Sequence, residues 1–182
     1  MRWKHFVQSW KDCTACPLHC NRNKIVLARG QLPCDVLFVG EAPGQSEDCF
    51  GQPFIGPAGR QLDVLVKAAY QNKLRIAFTN LLCCLPIEQI QDKERIRQPV
   101  KKEIEACSTR LAEFVQVAQP RLLVAVGQLA KSWLPRLLEF DTSGFCDIIH
   151  PSAILQSFVE ARELMCEQVV IRLRDAWERI EE

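Results

Sequence analysis

No stretch of this 182-residue chain approaches the ~20 consecutive apolar residues that a membrane-spanning helix needs. The opening Met1-Arg-Trp-Lys-His lacks the apolar core of a secretory leader, so a cytoplasmic protein is expected. Internal repeats and low-complexity linkers are also missing, which excludes a repeat array. Charge of one sign is missing too. The net charge is +1, so no global field announces a polyanionic partner. The glycines fit neither GxxxxGK[ST] nor GxGxxG, which excludes the common nucleoside-triphosphate and dinucleotide loops. What remains is one domain's worth of an ordinary globular composition, 48% hydrophobic and 25% charged.

Apolar runs and breakers give a coarse order of elements. Helices are expected at about 3–12, 58–71, 99–118, 128–138 and 156–181, and strands at 35–40, 75–80, 122–126 and 147–149. A polar stretch at 85–98 reads as irregular, and 41–57 reads as two loops. Strands alternating with helices predict a three-layer α/β/α fold around a mostly parallel four-stranded sheet, in a single domain over 1–182.

Three strand exits carry polar residues: Glu41, Asn80 and His150. The first opens a Gly/Pro-rich segment, Gly40-Glu-Ala-Pro-Gly44, followed by Gly51-Gln-Pro-Phe-Ile-Gly-Pro-Ala-Gly59. Glycines admit close backbone approach to a ligand, and strand carboxyl ends are the usual ligand position in an open α/β sheet. Each residue has a plainer role available. Glu41 suits a turn, Asn80 a loop cap, Phe54 a core filler, and His150 a bond to a carbonyl.

Cysteine is plentiful, with ten residues. Cytosolic disulfides are rare, so metal ligation is the better reading where spacing permits. Cys13-Thr-Ala-Cys16 is a CxxC. One of Cys83/Cys84 together with Cys107 would complete four thiolates, a count that fits structural zinc and an iron–sulfur cluster equally. Cys34, Cys49, Cys146 and Cys166 read as ordinary thiols. Two basic patches stand out, with six Lys/Arg in 1–35 and five in 91–102. They suit a phosphate backbone or plain solvation.

Taken in order, the motifs resemble the family 4 uracil-DNA glycosylases, the iron–sulfur branch of that superfamily. The resemblance runs from Cys13 to Leu155. It rests on Cys13-x-x-Cys16-x-Leu18, Gly40-Glu-Ala-Pro-Gly44, Glu47-Asp48-x-x-Gly51-x-Pro-Phe-Ile-Gly56-x-Ala-Gly59, Thr79-Asn80-x-x-x-Cys84-x-Pro86, Glu103-Ile-x-x-Cys107, Pro120-x-Leu-Leu-Val-x-Val-Gly127 and His150-Pro-Ser152.

The resemblance implies a [4Fe–4S] cluster on Cys13, Cys16, Cys84 and Cys107, with 13–20 as its N-terminal turn and Cys83 as a bystander. It implies hydrolysis of uracil from single- or double-stranded DNA, leaving an abasic site, as in base excision repair. Glu41 and His150 would be catalytic. Glu41, Ala42, Pro43, Phe54, Asn80 and His150 would bind uracil. Ile154 and Leu155 are the apolar candidates for a wedge into the gap in the stack. A monomer is expected.

Ala42 stands where family 1 enzymes carry a water-activating aspartate. Gln156 stands where an arginine often follows the leucine, and the 127–150 segment is short. The alternative is therefore a catalytically weak or inactive iron–sulfur nucleic-acid-binding protein of the same fold. A related sub-branch traps its product through a histidine before the fourth cysteine. The comparable Lys93–Pro99 stretch has none, so ordinary turnover is expected.

Overall fold

A computed structural model describes residues 3–91, 93–138 and 144–182. Arg2, counted in the first basic patch, and part of the 127–150 segment lie outside the described residues. The chain runs α1 (Trp3–Trp10), a 3-10 turn (Pro17–Cys20), β1 (Arg29–Gly30), β2 (Val36–Gly40), α2 (Gln45–Phe50), α3 (Pro57–Tyr70), β3 (Ile76–Asn80), β4 (Ile87–Ile90), β5 (Lys93–Ile96), α4 (Lys101–Ala118), β6 (Leu122–Val126), α5 (Gln128–Leu137), β7 (Phe145–Ile148), α6 (Pro151–Gln156) and α7 (Val159–Glu181).

The four predicted strands form a parallel sheet, and a two-residue edge strand, β1, adds to it antiparallel, giving the order β1-β3-β2-β6-β7. Every residue of β2 and β6 is buried, as expected for strands covered on both faces. Side chains alternate between the faces. Leu37, Val39, Leu123 and Ala125 pack with Phe6, Leu111, Phe114 and Leu134 from α1, α4 and α5. Val36, Phe38, Leu122, Val124 and Val126 pack with Leu62, Leu65, Val169 and Leu173 from α3 and α7. These two cores make the three layers.

The strand order reverses between β2 and β6. Connections leave the two strands in opposite directions there, and a crevice opens at their carboxyl ends. Gly40, Asn80 and the segment after β7 all end at that edge.

Three segments differ from the sequence expectation. The stretch 85–98 contains an antiparallel hairpin, β4–β5, in a separate two-stranded sheet. All of β5 is exposed, so it carries no alternating burial signal. The first loop after β2 contains the six-residue α2. The last helix is two helices, separated at Ser157-Phe158, and the first begins at Pro151.

Candidate active site

One pocket lies at the switch point. It is lined by Glu41, Ala42, Pro43, Phe54, Asn80 and His150, with Pro86, Ile96 and Arg97 forming a further wall. The six sequence-predicted base-site residues thus come together, and all three strand exits contribute.

Gly40 shows how tightly the floor is built. A Cβ there would lie 2.5 Å from Phe54 Cζ and 2.5 Å from Asn80 Oδ1. The aromatic ring and the amide therefore meet over the same backbone position. Both residues are nearly buried, at 6% and 3% exposed. Phe54 packs at a tilt against Phe78, with centroids 5.8 Å apart and ring planes 51° apart. Its backbone is left-handed, at φ 57°, an unfavourable conformation for a bulky residue.

Two features hold it there. Gly59 lets α3 start against the Phe54 carbonyl, which a Cβ would approach to 1.9 Å. Arg29 donates to the carbonyls of Pro53 and Phe54 at 2.7 and 3.1 Å and pairs with Asp63 at 2.7 Å. Its guanidinium also stacks on Phe78, 3.9 Å from the ring centre. A lone arginine before a loop gave no sequence signal for this role.

Glu47 accepts the main-chain N–H groups of Ile55 and Gly56 at 3.0 and 2.8 Å. It fixes the second loop to the first, so it is a loop brace. Glu41 keeps its carboxyl in the pocket, where burial pushes it above the ordinary carboxylate range.

His150 is the N-cap of α6. Its Nδ1 accepts the Ser152 main-chain N–H at 3.2 Å and lies 2.6 Å from Ser152 Oγ. A main-chain N–H can only donate, so Nδ1 carries the lone pair and a neutral ring bears its proton on Nε2. Burial pulls the imidazole below its ordinary range, which favours that neutral form.

The wedge assignment needs one correction. Ile154 is 1% exposed and belongs to the core between α3 and α7. Because α6 starts at Pro151, Ile154 shares the inward face with Pro151, three residues earlier. It cannot enter a base stack, whereas Leu155 is partly exposed.

Behind the pocket, Cys13, Cys16, Cys83, Cys84 and Cys107 line one recess. Cys83 Sγ lies 3.6 Å from Cys107 Sγ and 4.0 Å from Cys84 Sγ, so geometry does not set Cys83 apart. Among the described residues, no group of three His, Cys, Asp or Glu is arranged around a single ion. Arg22 donates to the Cys13 carbonyl at 2.6 Å and to Cys84 Sγ at 3.5 Å, joining the CxxC turn to the sheet. The hydrogen bond from Cys83, aided by Arg22, draws the Cys84 thiol below its ordinary range against the effect of burial.

The basic patches are partly spent internally. Arg29 and Arg22 serve as above, Arg97 pairs with Glu103 at 2.5 Å, and Lys101 pairs with Glu105 at 3.5 Å. Arg97 also lines the pocket, a placement that an unrecognised hairpin concealed.

The fold and site define an α/β protein with an open cleft at a switch point, floored by the buried Phe54 and Asn80, and a separate thiol-lined recess. Residues 28–174 match the family described as the uracil DNA glycosylase superfamily, and the chain belongs to it. Its curated relatives there include the type-4 uracil-DNA glycosylase of Thermotoga maritima, 36% identical over 68% of this chain and 60% of the relative. That of Pyrobaculum aerophilum is 34% identical over 70% and 62%. That of Archaeoglobus fulgidus is 31% identical over 75% and 66%. The chain thus spans about 60–66% of the length of these relatives.

Proposed function

We propose that this protein is a DNA repair glycosylase that hydrolyses the bond between uracil and deoxyribose, leaving an abasic site. The observation that carries this reading is the shared floor at Gly40, where an aromatic plate and an amide reader converge. Glu41 and His150 line the same pocket.

Phe54 stacks on the face of the extruded pyrimidine. Asn80 accepts from N3–H and donates to O4, a pattern cytosine presents in reverse. The main chain of Ala42 and Pro43 frames the ring. As the C1′–N1 bond breaks, negative charge gathers on the base, and His150 Nε2–H donates to O2. Such a donor acts as an oxyanion hole does. Water adds to C1′ and its proton leaves with the base. Glu41 is the carboxylate that polarises that water or balances the cationic sugar. Leu155 is the apolar candidate for filling the stack.

The thiol recess suits a [4Fe–4S] cluster held by Cys13, Cys16, Cys84 and Cys107. The fit is supported by Arg110, which is fully buried and faces the Cys107 thiol, a hydroxyl and two carbonyls. Its Nε finds no partner among the described residues. A buried cation without a carboxylate calls for nearby negative charge, and a thiolate-bound cluster supplies it. Its contribution would be structural: Cys13 and Cys16 of the N-terminal turn and Cys107 of α4 would be held to Cys84 beyond the end of β3.

Incubation with uracil-containing oligonucleotides followed by alkali is expected to nick the strand at uracil. Asn80→Ala is expected to lose that activity. A variant cutting as fast as wild type would remove the base-reading assignment.

A further inference from the structure

Arg110 stands between the two recesses. From α4 its Nη1 donates to Thr79 Oγ1 at 3.0 Å, and its Nη2 donates to the carbonyls of Asn80 and Leu81, both at 2.7 Å. The same Nη2 lies 3.5 Å from Cys107 Sγ. One rigid fork therefore grips the main chain of the base-reading residue and touches the thiol recess. Thr79 Oγ1 is itself fixed, donating to the Leu27 carbonyl at 2.7 Å.

The surroundings make this arrangement conditional. The side chain is 0% exposed, so water does not solvate its charge. Among the described residues its hydrogen-bond partners are two neutral carbonyls, one hydroxyl and one thiol. Carbonyl dipoles alone are a poor counter-charge for a buried guanidinium. Negative charge on the sulfur side would hold Arg110 in place, and a fork held in place fixes the Asn80 and Leu81 carbonyls. Lysine cannot reproduce this, because an ammonium is a point charge without the planar fork.

We propose that Arg110 is a positioning residue: it transmits occupancy of the thiol recess to the base-reading strand end by holding the Asn80 and Leu81 carbonyls from the Cys107 side. This rests on the cluster and uracil readings above. It adds that loss of the cluster loosens base discrimination through one side chain, with no group passing from one recess to the other.

The test uses holoprotein with Arg110→Met and Arg110→Lys, and two readouts. One is the half-life of the cluster's visible absorption in the presence of an iron chelator. The other is the ratio of uracil to cytosine excision. Residues supporting metal ligands and site groups typically change affinity or activity by about 10–100-fold.

Arg110→Met is expected to shorten the half-life and lower the ratio, each by about tenfold or more. Arg110→Lys is expected to keep most of the half-life, since its charge remains, while the ratio still falls. That split separates the fork from the charge. Wild-type behaviour of either variant in the ratio overturns the proposal. So does an equal loss of both readouts in the two variants, which marks a merely structural arginine. If Arg110→Met does not fold, the lysine variant alone decides.

Wild-type holoprotein that releases no uracil would sink the function reading instead. The Arg110 link is then judged from cluster half-life together with the Asn80 and Leu81 carbonyl positions in a crystal structure of Arg110→Lys, where unmoved carbonyls overturn it.

Discussion

Gly40→Ala is the sharpest perturbation of the proposed base site, because one methyl group meets Phe54 and Asn80 at once. The new Cβ would lie 2.5 Å from Phe54 Cζ and Asn80 Oδ1. Ordinary contacts begin near 3.5 Å, so each group must retreat by about 1 Å. Both atoms are side-chain ends, so the chain can fold around the methyl. Overpacking of this kind costs about 1–3 kcal/mol, against a total stability of about 5–15 kcal/mol for a typical domain. A misplacement of about 1 Å at a reacting site costs on the order of 100-fold in rate, or about 2.7 kcal/mol of barrier. The variant is therefore expected to melt cooperatively, a few degrees below wild type, with single-turnover uracil excision down about 100-fold. Were Phe54 only core filler and Asn80 only a loop cap, stability would fall and excision would persist. A folded Gly40→Ala protein with near wild-type excision refutes the reasoning.

His150→Ala is expected to lower kcat by about 100–1000-fold, the usual effect of removing one oxyanion donor. The pH dependence follows from the neutral ring. The folded state holds the imidazole below its ordinary range, so the unfolded chain binds more protons just below about pH 6.5. The His150 contribution to stability is therefore complete above about pH 6.5 and is lost as pH falls below it. Proton addition at Nδ1 also breaks the Ser152 cap. Melting temperature against pH in wild type and His150→Gln checks the sign, and a variant with an unchanged acid limb contradicts it. Protein purified without oxygen is expected to be brown. Cys84→Ser should bleach it and Cys83→Ser should not; the reverse would exchange the two ligands, which the 3.6 Å approach of Cys83 to Cys107 makes a real contest. Arg29→Ala strips two carbonyls of their donor, costing about 1–3 kcal/mol, and frees the Phe54 loop. KM for uracil DNA is expected to rise more than kcat falls, and unchanged kinetics would remove Arg29 from the site.

The parts of the fold legible in the sequence are those whose burial repeats. Val36–Gly40 and Leu122–Val126 are buried on both faces and read as unbroken apolar runs. Glu41, Asn80 and His150 read as strand-exit residues because the strands themselves are legible. The hairpin at 87–96 leaves no sequence signal because its second strand buries nothing. Of the two wedge candidates, Ile154 turns to the core for a reason of phase. Without the start of α6 at Pro151, nothing tells Ile154, which faces the core, from Leu155. Arg29 and Arg110 were invisible for a third reason. A lone arginine in a sequence reads as a solvated cation, and only tertiary structure shows that one clamps a strained loop and the other is wholly buried.

On the proposed function, one extruded pyrimidine sits between Phe54 and Asn80 under His150. A crystal structure with an oligonucleotide carrying 2′-fluoro-deoxyuridine, which resists hydrolysis, tests it most directly. The uracil ring is expected to stack on Phe54, with N3–H and O4 on the Asn80 amide and O2 on His150 Nε2. Uracil left in the base stack, or seated away from these three side chains, would contradict it.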